Sequence, residues 1–410
     1  MDEGAGRVER TRSLRLLLFS PRHPSVSSVG VANVVSALAR SWSRSGHEVR
    51  VAFPENALDA RAPSVWEGVR AVPLAAQGRP HRPKSLERAL AEGLAEEARD
   101  RTDVVIANNE YGAFLPSRRT GGSVLSVVVL HGLVVRFMEL ERATRRGLRP
   151  RAGYYPDLRA VRSLERSSIE RADRVVAISR RVLRDAQATY ALDPARSSVI
   201  YNGQPAVPPP RPEERERARA HFSAAPRTRL LALVGGDPYR KGLDVARAAV
   251  AKLRAQGEDV RLLHVGGDTA PEEDGVVGLG RVSDPMLREV MVASDLLLLP
   301  SRYEGFPMIA QEAAALGLPI VASEASGLDL GRPGQSHVEV RSGGSGDWAE
   351  AVRALLKDDA ARERIAEGGR RELSGRTLEE MAEDYRRLIK SERFSGAWTP
   401  TRRPAPRSPQ

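Results

Sequence analysis

Twice along this 410-residue chain, short aliphatic runs alternate with amphipathic helical stretches, and a proline-rich break separates the two series. Such alternation marks parallel α/β layers, in which a strand buried on both faces is followed by a helix that crosses over it. In the first series LRLLLFS (14–20), HEVRVAFP (47–54), DVVIANN (103–109), SVVVLHG (126–132), RVVAIS (174–179) and SVIYNG (198–203) read as strands. A helix over 31–45 carries Val31, Val34, Val35, Leu38 and Trp42 at helical spacing, and Gly46 stops it. After QPAVPPPRPEE (204–214), a good interdomain linker, the pattern restarts with RLLALVGG (229–236), RLLHVGG (261–267), VVGLG (276–280), DLLLLPS (295–301) and PIVAS (319–323). Helices are expected over about 242–256, 284–294, 308–316, 347–357 and 377–392. The pattern predicts two Rossmann-like domains, 1–205 and 206–376, a final helix over 377–392, and a structureless proline-rich basic tail over 394–410. Ligands in such sheets sit at the carboxyl ends of the strands.

Composition narrows the chemistry. The chain has no cysteine, which removes disulfides, thiolate metal sites and cysteine nucleophiles. Its opening apolar run, LRLLLF, is too short for a signal-peptide core, and no run approaches the roughly 20 residues that span a bilayer. The expectation is a cytoplasmic protein. The net charge of +11 is uneven: residues 1–220 hold 37 Lys and Arg against 25 Asp and Glu, so the whole excess lies in the first half. Arg142, Arg145, Arg146, Arg149 and Arg151 cluster there, followed by Tyr154, Tyr155, Arg159, Arg162 and Arg166. They fit a solvated helix face, or a dock for an anionic membrane surface or a phosphorylated acceptor. The basic half lacks interleaved aromatics and any recognition module, so a nucleic-acid partner is not expected.

PSRYEGFPMIAQEAAALGLPIVAS (300–323) is the most informative stretch. Glu304 follows a buried strand, and Glu312 lies eight positions on, about two turns into the next helix. The helix is expected to start at Pro307, so the free N–H groups of Met308 and Ile309 make an anion site. Two carboxylates there suit vicinal sugar or ribose hydroxyls, although a solvated Glu at each position fits the residues equally well. In VGGDPYRKGLD (234–244) a strand ends in two glycines, and Arg240 and Lys241 precede Gly242 at a helix start. Those cations can reach a diphosphate, and the glycines, Gly236 among them, let backbone approach it; taken alone, a Lys-Gly pair is commonly a surface turn. There is no phosphate loop of the GxxxxGK[ST] type, no HExxH and no Asp-x-Asp metal clamp at a strand end. The expectation is a reaction without a metal or other cofactor.

These segments, with SVGVANVVSALARSWSRSGHEV (28–49), ERADRVVAISRRV (170–182), VIYNGQ (199–204) and GLGRVSDPMLREVMVASDLLLLPSRYEGFP (278–307), closely resemble family 4 of the retaining glycosyltransferases of the GT-B fold. The resemblance runs over about 14–392 in the family's order and spacing. It implies two domains facing a central cleft and a last helix crossing back to the first. The first domain would bind a hydroxyl acceptor and the second a UDP- or GDP-sugar. The activity implied is retaining transfer in cell-envelope glycan, glycolipid or specialised-metabolite glycosylation. Arg240 and Lys241 would bind the donor diphosphate, Gly30 would approach it from the first domain, and His131 would face the transferred sugar. Glu304 would hold sugar hydroxyls and Glu312 the ribose, with Phe306, Met308 and Ile309 beside them. The base would meet a backbone edge near Val277 and Gly280. Many members carry Arg where this chain has Gly236, and two glycines where Val29 precedes Gly30. Arg240 is expected to supply the missing charge. A nucleotide-sugar epimerase or hydrolase on the same fold is the alternative.

Overall fold

We describe the protein from a computed structural model covering residues 13–23, 30–55, 63–74, 83–99, 101–120, 122–144, 158–341, 344–374 and 376–394. The expected tail beyond 394, residues 24–29 of the first loop, and Arg145, Arg146, Arg149, Arg151, Tyr154 and Tyr155 lie outside these. Eight strands form the first sheet: β1 (Arg15–Phe19), β2 (Glu48–Pro54), β3 (Val65–Trp66), β4 (Val69–Leu74), β5 (Val104–Asn108), β6 (Leu125–Leu130), β7 (Arg174–Ala177) and β8 (Ser197–Val199). Their order is β3-β4-β2-β1-β5-β6-β7-β8. β1 runs parallel to β2 and β5, β5 to β6, and β2 to β4. Only β3 is antiparallel to its neighbour among the paired strands described. It turns into β4 at Glu67–Gly68, both at positive φ, as a tight hairpin of mirror-image turn type requires. Among the described residues five α-helices accompany this sheet: α1 (Gly30–Arg44), α2 (Pro83–Arg99), α3 (Val134–Thr144), α4 (Leu158–Arg171) and α5 (Arg180–Tyr190).

The second sheet has seven strands: β9 (Arg229–Val234), β10 (Val260–Val265), β11 (Thr269–Glu273), β12 (Val276–Gly280), β13 (Leu296–Leu299), β14 (Ile320–Ser323) and β15 (Val338–Val340). Its order is β11-β12-β10-β9-β13-β14-β15, and only β11 runs antiparallel. Around it stand α6 (Pro212–His221), α7 (Leu243–Ala255), α8 (Asp284–Ala293), α9 (Met308–Ala315), α10 (Ser345–Lys357) and α11 (Asp359–Leu373), and α12 (Leu378–Phe394) follows.

Successive side chains on a strand point to opposite faces. Leu230, Ala232, Leu297 and Leu299 therefore pack with Val290, Ala310 and Ala313 of α8 and α9 on one face. Leu231, Leu233, Leu296 and Leu298 pack with Ala249, Leu253, Trp348 and Val352 of α7 and α10 on the other. Each such leucine contributes about 1.5–3 kcal/mol of apolar burial, and both faces are covered, as a parallel sheet requires. At the amino ends of the strands Arg215 and Arg219 of α6 ion-pair with the buried Asp295 at 3.0 and 3.3 Å. Arg215 also donates to the carbonyls of Val292 and Ser294 at the end of α8, a favoured place for a cation. In the first sheet Leu17, Phe19, Val105 and Ala107 pack with Leu90, Leu94 and Ala98 of α2.

By its internal contacts the chain forms two compact units. One takes the described residues up to Val129, Arg159–Val175 and those from Ala382 onward; the other takes Leu130 to Leu158 and Val176–Met381. In the first, the last helix packs by Tyr385 edge-on to Trp42, ring centres 6.3 Å apart, while Glu392 ion-pairs with Arg118 and Arg174. The sheets change over between Val199 and Arg229. The units are cut elsewhere because the ends of β6 and β7 are tied to a loop after β13, described next.

Candidate active site

Two loops at the carboxyl end of the second sheet carry the candidate residues. The β9–α7 loop presents Arg240 and Lys241, and the β13–α9 loop presents Glu304. Their backbones are joined where Arg302 N–H donates to the Arg240 carbonyl at 2.8 Å. The Arg302 guanidinium lies over the Tyr239 ring, 4.0 Å from its centre, and pairs in a fork with Asp244 at 2.8 and 2.6 Å. Gly235, at φ +153°, leaves room for the stem of Lys241; a Cβ there would lie 2.5–2.7 Å from three of its carbons. At Gly236 a Cβ would meet only Gly267 N, at 3.9 Å, so packing among the described residues does not impose glycine there.

Glu304 is buried, at 7% exposure. Its carboxylate sits between Lys241 Nζ at 2.6 Å and Arg240 Nη1 at 3.0 Å, and Ser301 Oγ donates to it at 3.0 Å. The sequence places these three charges near one site; their mutual ion pairing is new information. Ser301, three positions before Glu304, carries no sequence signal that marks it as this donor.

The same loop holds the end of β6. Ser179 Oγ donates to the Gly305 carbonyl at 2.7 Å, and Leu133 N–H donates to Tyr303 Oη at 3.0 Å. The Phe137 and Tyr303 rings meet edge to face with centres 4.8 Å apart. A Cβ on Gly305 would run into the His131 carbonyl oxygen. His131 is therefore brought beside the Glu304 loop, and burial away from water pushes its pKa down to about 4, so the ring is neutral near pH 7. Neutral imidazole can exchange hydrogen bonds with a sugar but adds no charge to a phosphate site.

Helix α9 starts at Met308 with Pro307 as its N-cap, one position earlier than the first-turn place expected for that proline, and no side chain caps it. The N–H groups of Met308 and Ile309 stand in its first turn, where intrahelical acceptors are lacking. Phe306 is buried with its ring 5.7 Å from that of Tyr201. Glu312 has no hydrogen bond or ion pair to its carboxylate among the described residues. Burial pushes its pKa up to about 7, and the negative charge of Asp284 adds to that.

A raised acid pKa has a definite consequence for stability. Between the ordinary value of 4.5 and about 7 the folded protein binds more proton at Glu312 than the unfolded chain, so this group's contribution falls as pH rises through that window. Hydroxyl groups donating to the carboxylate favour its ionised form. If ribose hydroxyls bind there, as the family resemblance implies, nucleotide affinity rises as pH increases through about 7, and Glu312→Gln flattens that part of the profile. Calorimetry at pH 6 and pH 8 checks this; parallel profiles for wild type and variant would refute it.

β12 pairs with β10 on one side and with β11 on the other, so most of the backbone between Val277 and Gly280 is engaged in the sheet. β11 exists because Asp274–Gly275, at φ +51° and +79°, closes a tight hairpin, an Asp-Gly signal present in the sequence. Only opposite Val277 does the β11 register break, and Gly280, at φ +65°, ends the strand. Gly30 opens α1 in the other unit, at φ +27°. Among the described residues no group of three or more His, Asp or Glu is placed to hold a metal ion, and no helix is long and apolar enough to cross a membrane.

Comparison with known proteins agrees with this arrangement. The family profile described as Glycosyltransferase Family 4 matches residues 29–205, and that of Glycosyl transferases group 1 matches residues 228–358. With a fold of two Rossmann-like sheets, the chain belongs to the family 4, group 1 glycosyltransferases of the GT-B type. It is 31% identical over 231 residues to a D-inositol 3-phosphate glycosyltransferase of a Nocardioides species, covering 50% of each chain. To the Nocardia farcinica protein of that name it is 34% identical over 213 residues, 47% of each. The matches thus span about half the length of these curated relatives. Among solved structures, a sucrose-phosphate synthase from Thermosynechococcus elongatus superposes with a TM-score of 0.74 at 20% identity, over 93% of this chain and 100% of the other. The Anabaena protein HepE, in complex with UDP and glucose, superposes with a TM-score of 0.69 at 18% identity, over 92% and 100%. At those identities the likeness establishes the fold.

Proposed function

We propose that the protein is a retaining glycosyltransferase that moves a sugar from a nucleotide-sugar donor to a hydroxyl acceptor without a metal ion. One observation carries this reading: Arg240 and Lys241 of the loop before α7 meet Glu304 of the loop before α9 at 3.0 and 2.6 Å, and α9 holds a half-buried Glu312 that no described residue pairs. Cations suit a diphosphate, Glu312 the ribose hydroxyls, and Glu304 with neutral His131 the hydroxyls of the sugar. The acceptor oxygen bonds to the anomeric carbon on the face from which the phosphate leaves, and the departing phosphate oxygen takes the acceptor's proton. Lys241, Arg240 and the start of α9 meet the charge that develops on the leaving group. The UDP complex of HepE and the UDP- or GDP-sugar expected from the sequence support a nucleoside diphosphate.

Domain roles follow the same proposal: the second sheet's domain takes the donor and the first sheet's domain, with Gly30, takes the acceptor. The charge excess of residues 1–220, and relatives named for D-inositol 3-phosphate, favour an acceptor or docking surface that is anionic. Arg159, Arg162 and Arg166 are exposed on one face of α4, as such a dock requires.

A panel of UDP-, GDP- and ADP-sugars tests the function. At least one should raise the melting temperature by mass action and be turned over in the presence of EDTA. Stabilisation by none, or turnover abolished by EDTA and restored by Mg²⁺ or Mn²⁺, would contradict it. Rapid release of free sugar or epimer without an acceptor would favour the hydrolase or epimerase.

A further inference from the structure

The negative charge facing Arg240 and Lys241 comes from the protein itself, from Glu304. We propose that Glu304 is an internal counter-anion that holds the two cations in place until the donor's diphosphate displaces it, so that diphosphate binding is what frees this carboxylate for the sugar. The inference rests on the donor-site reading above and deepens it.

The geometry explains why displacement follows. Glu304 is buried, and a buried carboxylate needs compensating charge, which Lys241 and Arg240 supply at 2.6 and 3.0 Å. The cations have little freedom to follow a moving partner. Lys241's stem lies over Gly235, the Arg240 backbone is bonded to Arg302, and the Arg240 guanidinium also reaches Asp237 at 3.4 Å. A diphosphate brings more negative charge and more acceptor oxygens than one carboxylate, so it wins a competition for the same donors. The carboxylate is then left with Ser301 Oγ, a neutral donor at 3.0 Å, and must find new donors. Sugar hydroxyls are such donors. A nucleotide lacking the diphosphate would leave Glu304 where it is.

Removing this competing charge should tighten anion binding even as it damages transfer. Inorganic pyrophosphate, the best-binding nucleoside diphosphate of the panel and the matching nucleoside are titrated into wild type and Glu304→Gln by calorimetry. The expected result is pyrophosphate and nucleoside diphosphate bound about ten- to a hundredfold tighter by the variant, the range of one charge-assisted contact, with nucleoside affinity unchanged. Glu304→Ala, which also removes the charge, should show the same sign. If either folded variant, confirmed by its nucleoside binding, holds diphosphate no tighter than wild type, the counter-anion role is overturned while the donor site stands. If wild type binds neither pyrophosphate nor any nucleoside diphosphate, the donor-site reading fails, and this inference with it.

Discussion

Lys241→Met should lower glycosyl transfer by about 10²–10³-fold, the usual cost of removing one preorganised donor from developing negative charge. The effect is large because Lys241 is packed into place: its stem fills the space left by the absent Gly235 side chain, and its Nζ stands 2.6 Å from the buried Glu304. Methionine keeps the stem and removes the charge. Arg240 Nη1 at 3.0 Å remains to Glu304, so the loop keeps an ion pair and its fold. The loss should fall on kcat more than on nucleoside affinity, because the partner proposed for Lys241 is the diphosphate. Lys241→Arg should recover only part of the activity, since a planar fork does not reproduce a point charge in a fixed slot. Steady-state rates with the best donor check this, and a loss below tenfold would show that Lys241 does not meet the leaving group.

Gly305→Ala should cost at least about 10²-fold in transfer, because a displacement near 1 Å at reacting groups has that effect. No room exists for the methyl group: it would run into the His131 carbonyl, and the Gly305 carbonyl is held by Ser179 Oγ at 2.7 Å. Either the turn at His131–Gly132 or the loop carrying Glu304 must move, and both hold residues assigned to the sugar. Forcing extra atoms into close packing typically costs about 1–3 kcal/mol, so the melting temperature should fall as well. Gly93→Ala in α2 is the control, since its Cβ would find its nearest neighbour, in Leu74, at 3.8 Å. Equal activity of Gly305→Ala and Gly93→Ala would contradict the packing described.

What the sequence reveals and what it hides divides on physical lines. Long buried strands such as β9 and β13 are legible because both faces are apolar, so LLAL and LLLL stand out as continuous runs. The short edge strands β3, β11 and β15 are not, because two to five partly exposed residues carry no comparable run. Two of them follow from Glu-Gly and Asp-Gly turns that a hairpin search would find. α6 is hidden for another reason: PEERERARAH has no apolar face, and its place depends on Arg215 and Arg219 reaching Asp295, 76–80 positions away. In the site, Glu304, Arg240, Lys241 and Glu312 are legible from loop and helix position. The ion pairing of the first three is not, since it depends on the register between two loops about 60 residues apart. Ser179, Ser301 and Tyr303 escape because an isolated hydroxyl carries no periodicity.

As proposed, one site in the second sheet's domain holds a nucleoside diphosphate by protein groups alone. A crystal structure with the best-binding nucleoside diphosphate should show diphosphate oxygens on Lys241 and Arg240, ribose hydroxyls on the Glu312 carboxylate, and Glu304 withdrawn from both cations. A nucleotide bound elsewhere, with Glu304 still between Lys241 and Arg240 and Glu312 touching no ribose, would contradict it.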